Sequence, residues 1–311
     1  QVAGIGLRAE AAGNMRNTKQ RHKISSADGF IAALDQSGGS TPKALKLYGI
    51  DPTDYSGETE MFDLVHDMRA RIVQSTAFST DHIVGAILFE QTMDRLIRGQ
   101  PAADYLWQNR GVVPFLKVDK GLAAKVGGMS LMKPIDGLDA LLQRAVEANI
   151  FGTKMRSLIE SASKSGIEAV VAQQFEVAKK ILQHGLVPII EPEINIAIAD
   201  KAAAEDLLLQ TITRHLEAVP ADQKIMLKLT LPDTANHYAP LVAHDSVLRV
   251  VALSGGYDRK TATQRLAQNT GVIASFSRAL TEGLSAQQND SAFDAALGQA
   301  VLDIYHASVA G

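Results

Sequence analysis

The chain has 311 residues, 46% of them hydrophobic, and a formal net charge of −3. That allows one large domain or two ordinary ones with a sizeable core, and it leaves no global field to favour nucleic acid or an acidic membrane. The lack of cysteine excludes disulfides and thiolate chemistry, no apolar run reaches the roughly 18 residues of a membrane span, and the scattered histidines give a metal site no support.

Residues 1–24 are basic: Arg8, Arg16, Lys19, Arg21 and Lys23 face one acid, Glu10. Beginning at Gln1, they are expected to be a processed or truncated leader, either a transit-peptide remnant or a plain basic helix. A single catalytic domain is expected over 25–311. Its first strand is Gly29–Asp35, running into Gln36-Ser37-Gly38-Gly39-Ser40 and a helix from Pro42 to Lys46. A second helix is expected over Thr59–Gln74, then strands His82–Phe89 and Val112–Asp119. Pro134 and Gly137 mark a loop before the helix Leu138–Glu147. Strand Ile150–Arg156, helix Gly166–His184, strand Leu186–Glu193 and helix Lys201–Glu217 follow.

The sixth strand alternates. Ile225, Leu227, Leu229 and Leu231 take one side; Met226, Lys228 and Thr230 take the other; Pro232 ends the run. Desolvation lowers a lysine pKa, so Lys228 could attack a carbonyl as the free amine; on an edge strand it would instead face water. Strands Leu248–Leu253 and Val272–Phe276 and a helix over Ser291–Ala307 complete the chain. Eight strands alternating with helices predict a (β/α)8 TIM barrel. An open doubly wound sheet is disfavoured because no GxGxxG follows the first strand.

The active site of such a barrel lies at the carboxyl ends of its strands. The polar residues there are Asp35, Lys117, Lys154, Glu191, Lys228, Ser254 and Arg278, and the middle four recur every 37 residues. Charges gathered at one mouth must be paired or serve a ligand. Asp119 should hold Lys117 charged, whereas Arg156 would lower the pKa of Lys154 and Lys154 that of Lys228. Sequence chemistry thus leaves Lys154 and Lys228 both open as nucleophile. Glu191 or Asp35 would move protons, with Glu193 next in line. Ser254-Gly255-Gly256 and Ser277-Arg278 suit a phosphate dianion, and Ser37, Ser40 and Lys43 offer donors across the mouth. Two anion sites flanking one amine point to a sugar bisphosphate.

The stretches ALDQSGGSTPKAL, LKVDKG, GTKMRS, PIIEPE, MLKLTLP, LSGG and SFSRAL, spanning Ala33 to Leu280, resemble class I fructose-1,6-bisphosphate aldolase, and its shorter bacterial-type branch more than the animal one. The resemblance implies a metal-independent, cofactor-free lyase of glycolysis or gluconeogenesis. Such an enzyme reversibly splits fructose 1,6-bisphosphate into dihydroxyacetone phosphate and glyceraldehyde 3-phosphate. It implies Lys228 as the Schiff-base lysine and Glu191 as the acid/base that aids carbinolamine loss. Asp35 would deprotonate the C4 hydroxyl, and Lys154 would polarise intermediates and keep Lys228 deprotonated. Lys117 and Arg156 would be substrate-side cations, and Ser254, Gly255 and Arg278 would hold the ketone-end phosphate.

The chain departs from the animal-type pattern at Met155 (tryptophan there), Ala44 (an arginine of the second phosphate site) and Ser277 (glycine). Animal-type members also use a C-terminal tyrosine in proton transfer; Tyr305 is expected to be a hydrophobic position of the last helix instead. The alternatives are another Schiff-base phosphosugar lyase and a non-catalytic phosphosugar-binding scaffold; the scaffold would be marked by a missing lysine or glutamate. Expected partners are sugar phosphates, with neither nucleic acid nor membrane, and homo-oligomer formation is left open. The expected location is the cytoplasm, or a plastid or other organelle after transit-peptide removal.

Overall fold

The computed structural model describes residues 17–311. Its barrel strands are β1 (Phe30–Leu34), β2 (Ile83–Leu88), β3 (Val113–Lys117), β4 (Gly152–Ile159), β5 (Val187–Ile194), β6 (Ile225–Thr230), β7 (Val247–Leu253) and β8 (Val272–Ala274). They lie in one sheet in chain order, each parallel to the next. The last rejoins the first where Ala33 N–H donates to the Phe276 carbonyl at 3.2 Å. This is the (β/α)8 barrel expected from the alternation.

Both faces of the strands are buried, as a parallel sheet wrapped in helices requires. In β6, Leu227 and Leu229 pack outward among helix residues, while Met226 joins the inner core with Ile31, Phe115, Phe151, Ile189 and Val251. Phe115 and Phe151 meet edge to face at 5.5 Å. Gly152 makes room for them, since a Cβ there would stand 2.9 Å from the Phe115 ring and 2.3 Å from the Val187 carbonyl.

A helix over residues 17–26, α1, closes the end opposite the mouth. Its Ile24 is fully buried in the inner core, and Arg249 of β7 donates to the Ser25 carbonyl at 2.9 Å. The helix runs across the boundary expected between leader and barrel; residues 1–16 of that leader lie outside the described residues.

The outer layer comprises α2 (Ser40–Leu47), α3 (Gly57–Gln74), α4 (Ala102–Arg110), α5 (Leu138–Glu147), α6 (Lys164–Gln183), α7 (Lys201–Leu216), α8 (Arg259–Leu266) and α9 (Asp290–Val309). In α6, Ile167, Val170, Val171, Gln174, Phe175 and Ala178 are buried at helical spacing. Ser163 caps its start by accepting from Gly166 N–H at 3.2 Å.

Two helices of this outer layer were not expected. In α8 only Ala262 and Leu266 are buried, too sparse a stripe to read, and in α4 the buried Ala102, Ala103, Tyr105 and Leu106 are bunched. Strand β4 also runs on to Ile159, because its upper residues pair with β5 up to Ile194 and with Met129–Ser130 on the other side. Among the described residues no helix is long and apolar enough to cross a membrane.

Candidate active site

A cavity of about 580 Å³ opens at the carboxyl ends of the strands. Asp35 follows β1 on the same face as Ile31, while Lys154, Glu191 and Lys228 stand on β4, β5 and β6. All four are at most 7% exposed, in a setting where an unpaired charge would be costly. They form one chain: Lys154 Nζ lies 2.6 Å from Asp35 Oδ2 and 3.0 Å from Glu191 Oε2, and Glu191 Oε1 lies 3.2 Å from Lys228 Nζ. Glu191 Oε2 lacks hydrogen-bond alignment with Lys154 despite that distance, so the contact is an ion pair with a lone pair to spare.

The electrostatics correct one expectation. Burial alone would push the Lys154 ammonium down, but the carboxylates of Asp35, Glu191 and Asp119 overcome it and hold Lys154 well above the ordinary lysine range. Arg156 is not among the leading causes, and it pairs with Glu193 at 2.5 Å. Asp35 shows the converse. Burial pushes its carboxyl up, yet Lys154 and Lys228, the Lys154 hydrogen bond and Lys117 bring it down to about 2. Lys154 is thus locked as a cation and Asp35 as an anion, and among the described residues Glu191 is the one acid within ion-pair distance of Lys228.

The sheet opens where these residues stand. Strands β5 and β6 pair only at Ile189–Met226 and Ile190–Leu227, one position short of Glu191 and Lys228. Glu191 N–H donates instead to Gln174 Oε1 at 2.9 Å. Above the gap, Thr230 Oγ bridges the backbone of Ile194, accepting from its N–H at 2.9 Å and donating to its carbonyl at 3.0 Å.

The remaining cavity cations divide into two kinds. Lys117 is engaged by Asp119 at 2.8 Å, and Asp119 also accepts from the backbone N–H groups of Gly121 and Arg156. Arg278 and Lys43 line the cavity and, among the described residues, have no acid within ion-pair distance. These two exposed side chains, Lys43 in the first turn of α2 and Arg278 at the start of the short helix after β8, stand where the sequence placed its two anion sites.

Beside Arg278, Ser254 and Gly255 line the cavity. Gly255 has φ +63° and a Cβ would stand 2.8 Å from Ile196 Cγ2, so only glycine gives this backbone close approach. Gly256 does not line the cavity; its Cβ position is 3.5 Å from the Arg278 guanidinium. Across the mouth, Ser37 and Ser40 line the cavity, but the Ser40 hydroxyl turns into its own loop, accepting from Ser37 N–H at 3.0 Å and donating to its carbonyl at 2.8 Å.

Ser277 accepts from Gln36 Nε2 at 2.5 Å, which gives a structural use to the serine that departs from the family's glycine. Tyr305 lies far from this chemistry: it packs edge to face on His82, ahead of β2 at the opposite end of the barrel.

Asp119, the expected end of the third strand and the acid expected to hold Lys117 charged, lies two residues beyond the observed strand end, lines the cavity and makes that pair. Gln36, Gln174 and Arg69 were not singled out; each acts through a backbone group or another side chain, and their spacing carries no signal of that. Among the described residues no cluster of metal-ligating side chains occurs.

A family model described as "Fructose-bisphosphate aldolase class-I" matches residues 18–232. The curated protein "Fructose-bisphosphate aldolase class 1" of Synechocystis sp. is 57% identical over 293 residues, 94% of this chain and 98% of that protein. Among solved structures, fructose-bisphosphate aldolase from Plasmodium falciparum, in complex with TRAP and a small-molecule inhibitor, superposes with a TM-score of 0.77 at 21% identity, covering 96% of this chain and 95% of that one. An archaeal fructose-1,6-bisphosphate aldolase, its catalytic lysine covalently bound to the carbinolamine intermediate, gives 0.50 at 12% identity, covering 92% and 99%. At these identities the two structures establish likeness of fold.

Proposed function

The chain belongs to the class-I fructose-bisphosphate aldolase family, and from that premise we propose how its mouth residues divide the work. The reaction is the reversible Schiff-base cleavage of fructose 1,6-bisphosphate into dihydroxyacetone phosphate and glyceraldehyde 3-phosphate. Lys228 is the nucleophile. The observation that carries this is the asymmetry of the two buried lysines: Lys154 is held by two carboxylates and raised in pKa, whereas among the described residues Lys228 pairs with Glu191 alone. A proton passing from the Lys228 ammonium to Glu191 leaves a free amine beside a neutral acid without changing the charge of the buried cluster.

The amine adds to the C2 carbonyl. Glu191 returns its proton to the departing hydroxyl, water leaves, and a protonated imine remains. The C3–C4 electron pair then moves to C3 and into the imine as an enamine. The C4 hydroxyl proton goes to the carboxylate of Asp35, and the resulting aldehyde departs as glyceraldehyde 3-phosphate. Lys154, a fixed cation between Asp35 and Glu191, stabilises the negative charge that develops on the C4 oxygen. Protonation of the enamine at C3 and hydrolysis of the imine release dihydroxyacetone phosphate.

Arg278, with Ser254 and Gly255, takes the ketone-end phosphate, and Lys43 with the Ser37 loop takes the other. Lys117 and the Arg156–Glu193 pair line the wall between them. We place the enzyme in the cytoplasm, or in a plastid or other organelle after transit-peptide removal, with small sugar phosphates as its partners.

Sodium borohydride with dihydroxyacetone phosphate should inactivate the enzyme and leave one stable adduct, on Lys228, and Lys228→Met should abolish trapping. An adduct on Lys154, or on no lysine, refutes the assignment.

A further inference from the structure

Arg69, on α3, is 2% exposed and the largest of the fully buried side chains. Among the described residues no acid lies within ion-pair distance of its guanidinium, and its Nε has no partner. Burial draws its pKa down to about 10, which the charge of Asp35 only partly offsets. A buried cation without a matching acid is costly, and an alkyl side chain of similar length would fill the space.

The guanidinium instead holds two turns. Nη1 donates to Thr92 Oγ1 at 2.9 Å, in the short helix after β2. Nη2 donates to the backbone carbonyl of Gln36, the residue after Asp35. The Gln36 side chain reaches on to Ser277, next to Arg278. One chain of hydrogen bonds therefore runs from the buried face of α3, past Asp35, to the loop after β8.

We propose that Arg69 is a positioning residue for carbon–carbon cleavage, clamping the turn after Asp35 so that its carboxylate stands at the C4 hydroxyl. A guanidinium suits the task because its planar fork reaches two acceptors at once, which an ammonium on a shorter stem does not. The clamp serves one half of the reaction. Imine formation with dihydroxyacetone phosphate needs Lys228, Glu191 and the Arg278 loop but has no C4 hydroxyl to deprotonate. This rests on the assignment of Lys228 and Asp35 above.

The test separates the halves in three variants: Arg69→Lys, Arg69→Met and Gln36→Met, the last cutting the chain at its second link. Cleavage of fructose 1,6-bisphosphate is followed by kcat, and imine formation by borohydride trapping with dihydroxyacetone phosphate. The expected result is a kcat for cleavage lowered about 10- to 100-fold, the scale of a sub-ångström to ångström misplacement, with trapping on Lys228 as complete as in the parent. A folded Arg69→Lys protein that cleaves at the parent rate overturns the proposal, as does a folded variant that loses trapping and cleavage in equal proportion. Should both Arg69 variants fail to fold, Gln36→Met decides on the same two readings. Failure of the parent itself to trap on Lys228 would instead refute the mechanistic assignment.

Discussion

At the scale of the residue, the buried chain Asp35–Lys154–Glu191–Lys228 assigns each group a task through its neighbours. Among the described residues Glu191 is the one acid within ion-pair distance of both lysines, so it can exchange a proton with Lys228 while Lys154 keeps its charge. Glu191→Gln preserves size and a hydrogen-bonding end but cannot ionise. We expect kcat to fall about 100-fold or more while KM changes little; steady-state kinetics on fructose 1,6-bisphosphate would show it, and an unaltered kcat would move the proton transfer to another group. The charged members of this chain were legible because an ionisable side chain interrupting an apolar strand needs a reason. The direction of the Lys154 shift was not. Arg156 is its neighbour along the strand, whereas the carboxylates that decide the matter come from other strands, and only the fold brings them within 3.0 Å.

At the scale of the element, β5 and β6 show how the barrel makes room for chemistry. Their ladder ends at Ile190–Leu227, and Pro192, having no N–H, cannot extend it as a donor. Side chains close the edges of the gap: Gln174 takes the Glu191 N–H, and Thr230 bridges Ile194. The period-two pattern around Lys228 announced the strand and its inward face. It could not announce the gap, since that depends on where the partner strand diverges. The turn after β7 is tighter still. Gly255→Ala places a side chain on a left-handed backbone and against Ile196, a strain of about 1–3 kcal/mol. Denaturant unfolding should report that loss, and KM for the bisphosphate should rise as the backbone leaves the phosphate. A variant with parent KM and parent midpoint would remove Gly255 from the phosphate site.

At the scale of the molecule, the barrel separates a reacting end from a supporting end. The alternation of short apolar runs with helical stretches revealed the barrel, and the four ionisable strand ends revealed its mouth. The plug at the far end was hidden, because α1 begins within a basic segment whose composition reads as a leader while its Ile24 belongs to the core. Ile24→Ala should leave a void beneath Val84 and Phe115 and destabilise the fold by about 2–5 kcal/mol. Thermal or denaturant melts should show the loss with kcat unchanged at low temperature. Equal loss of stability and turnover would mean that the floor and the mouth are mechanically coupled.

The uneven pairing of the cavity cations bears on how the enzyme behaves amid the salts of a cell. Lys117, Lys154 and Arg156 carry their own acids, whereas Arg278 and Lys43, among the described residues, have none within ion-pair distance. With those two side chains holding the substrate phosphates as proposed, free inorganic phosphate would be drawn to them and would have no claim on Lys228. It would then compete with substrate while leaving the ceiling rate alone. Enzyme of a given abundance would need more sugar bisphosphate where phosphate is plentiful, and would run on less where phosphate is scarce.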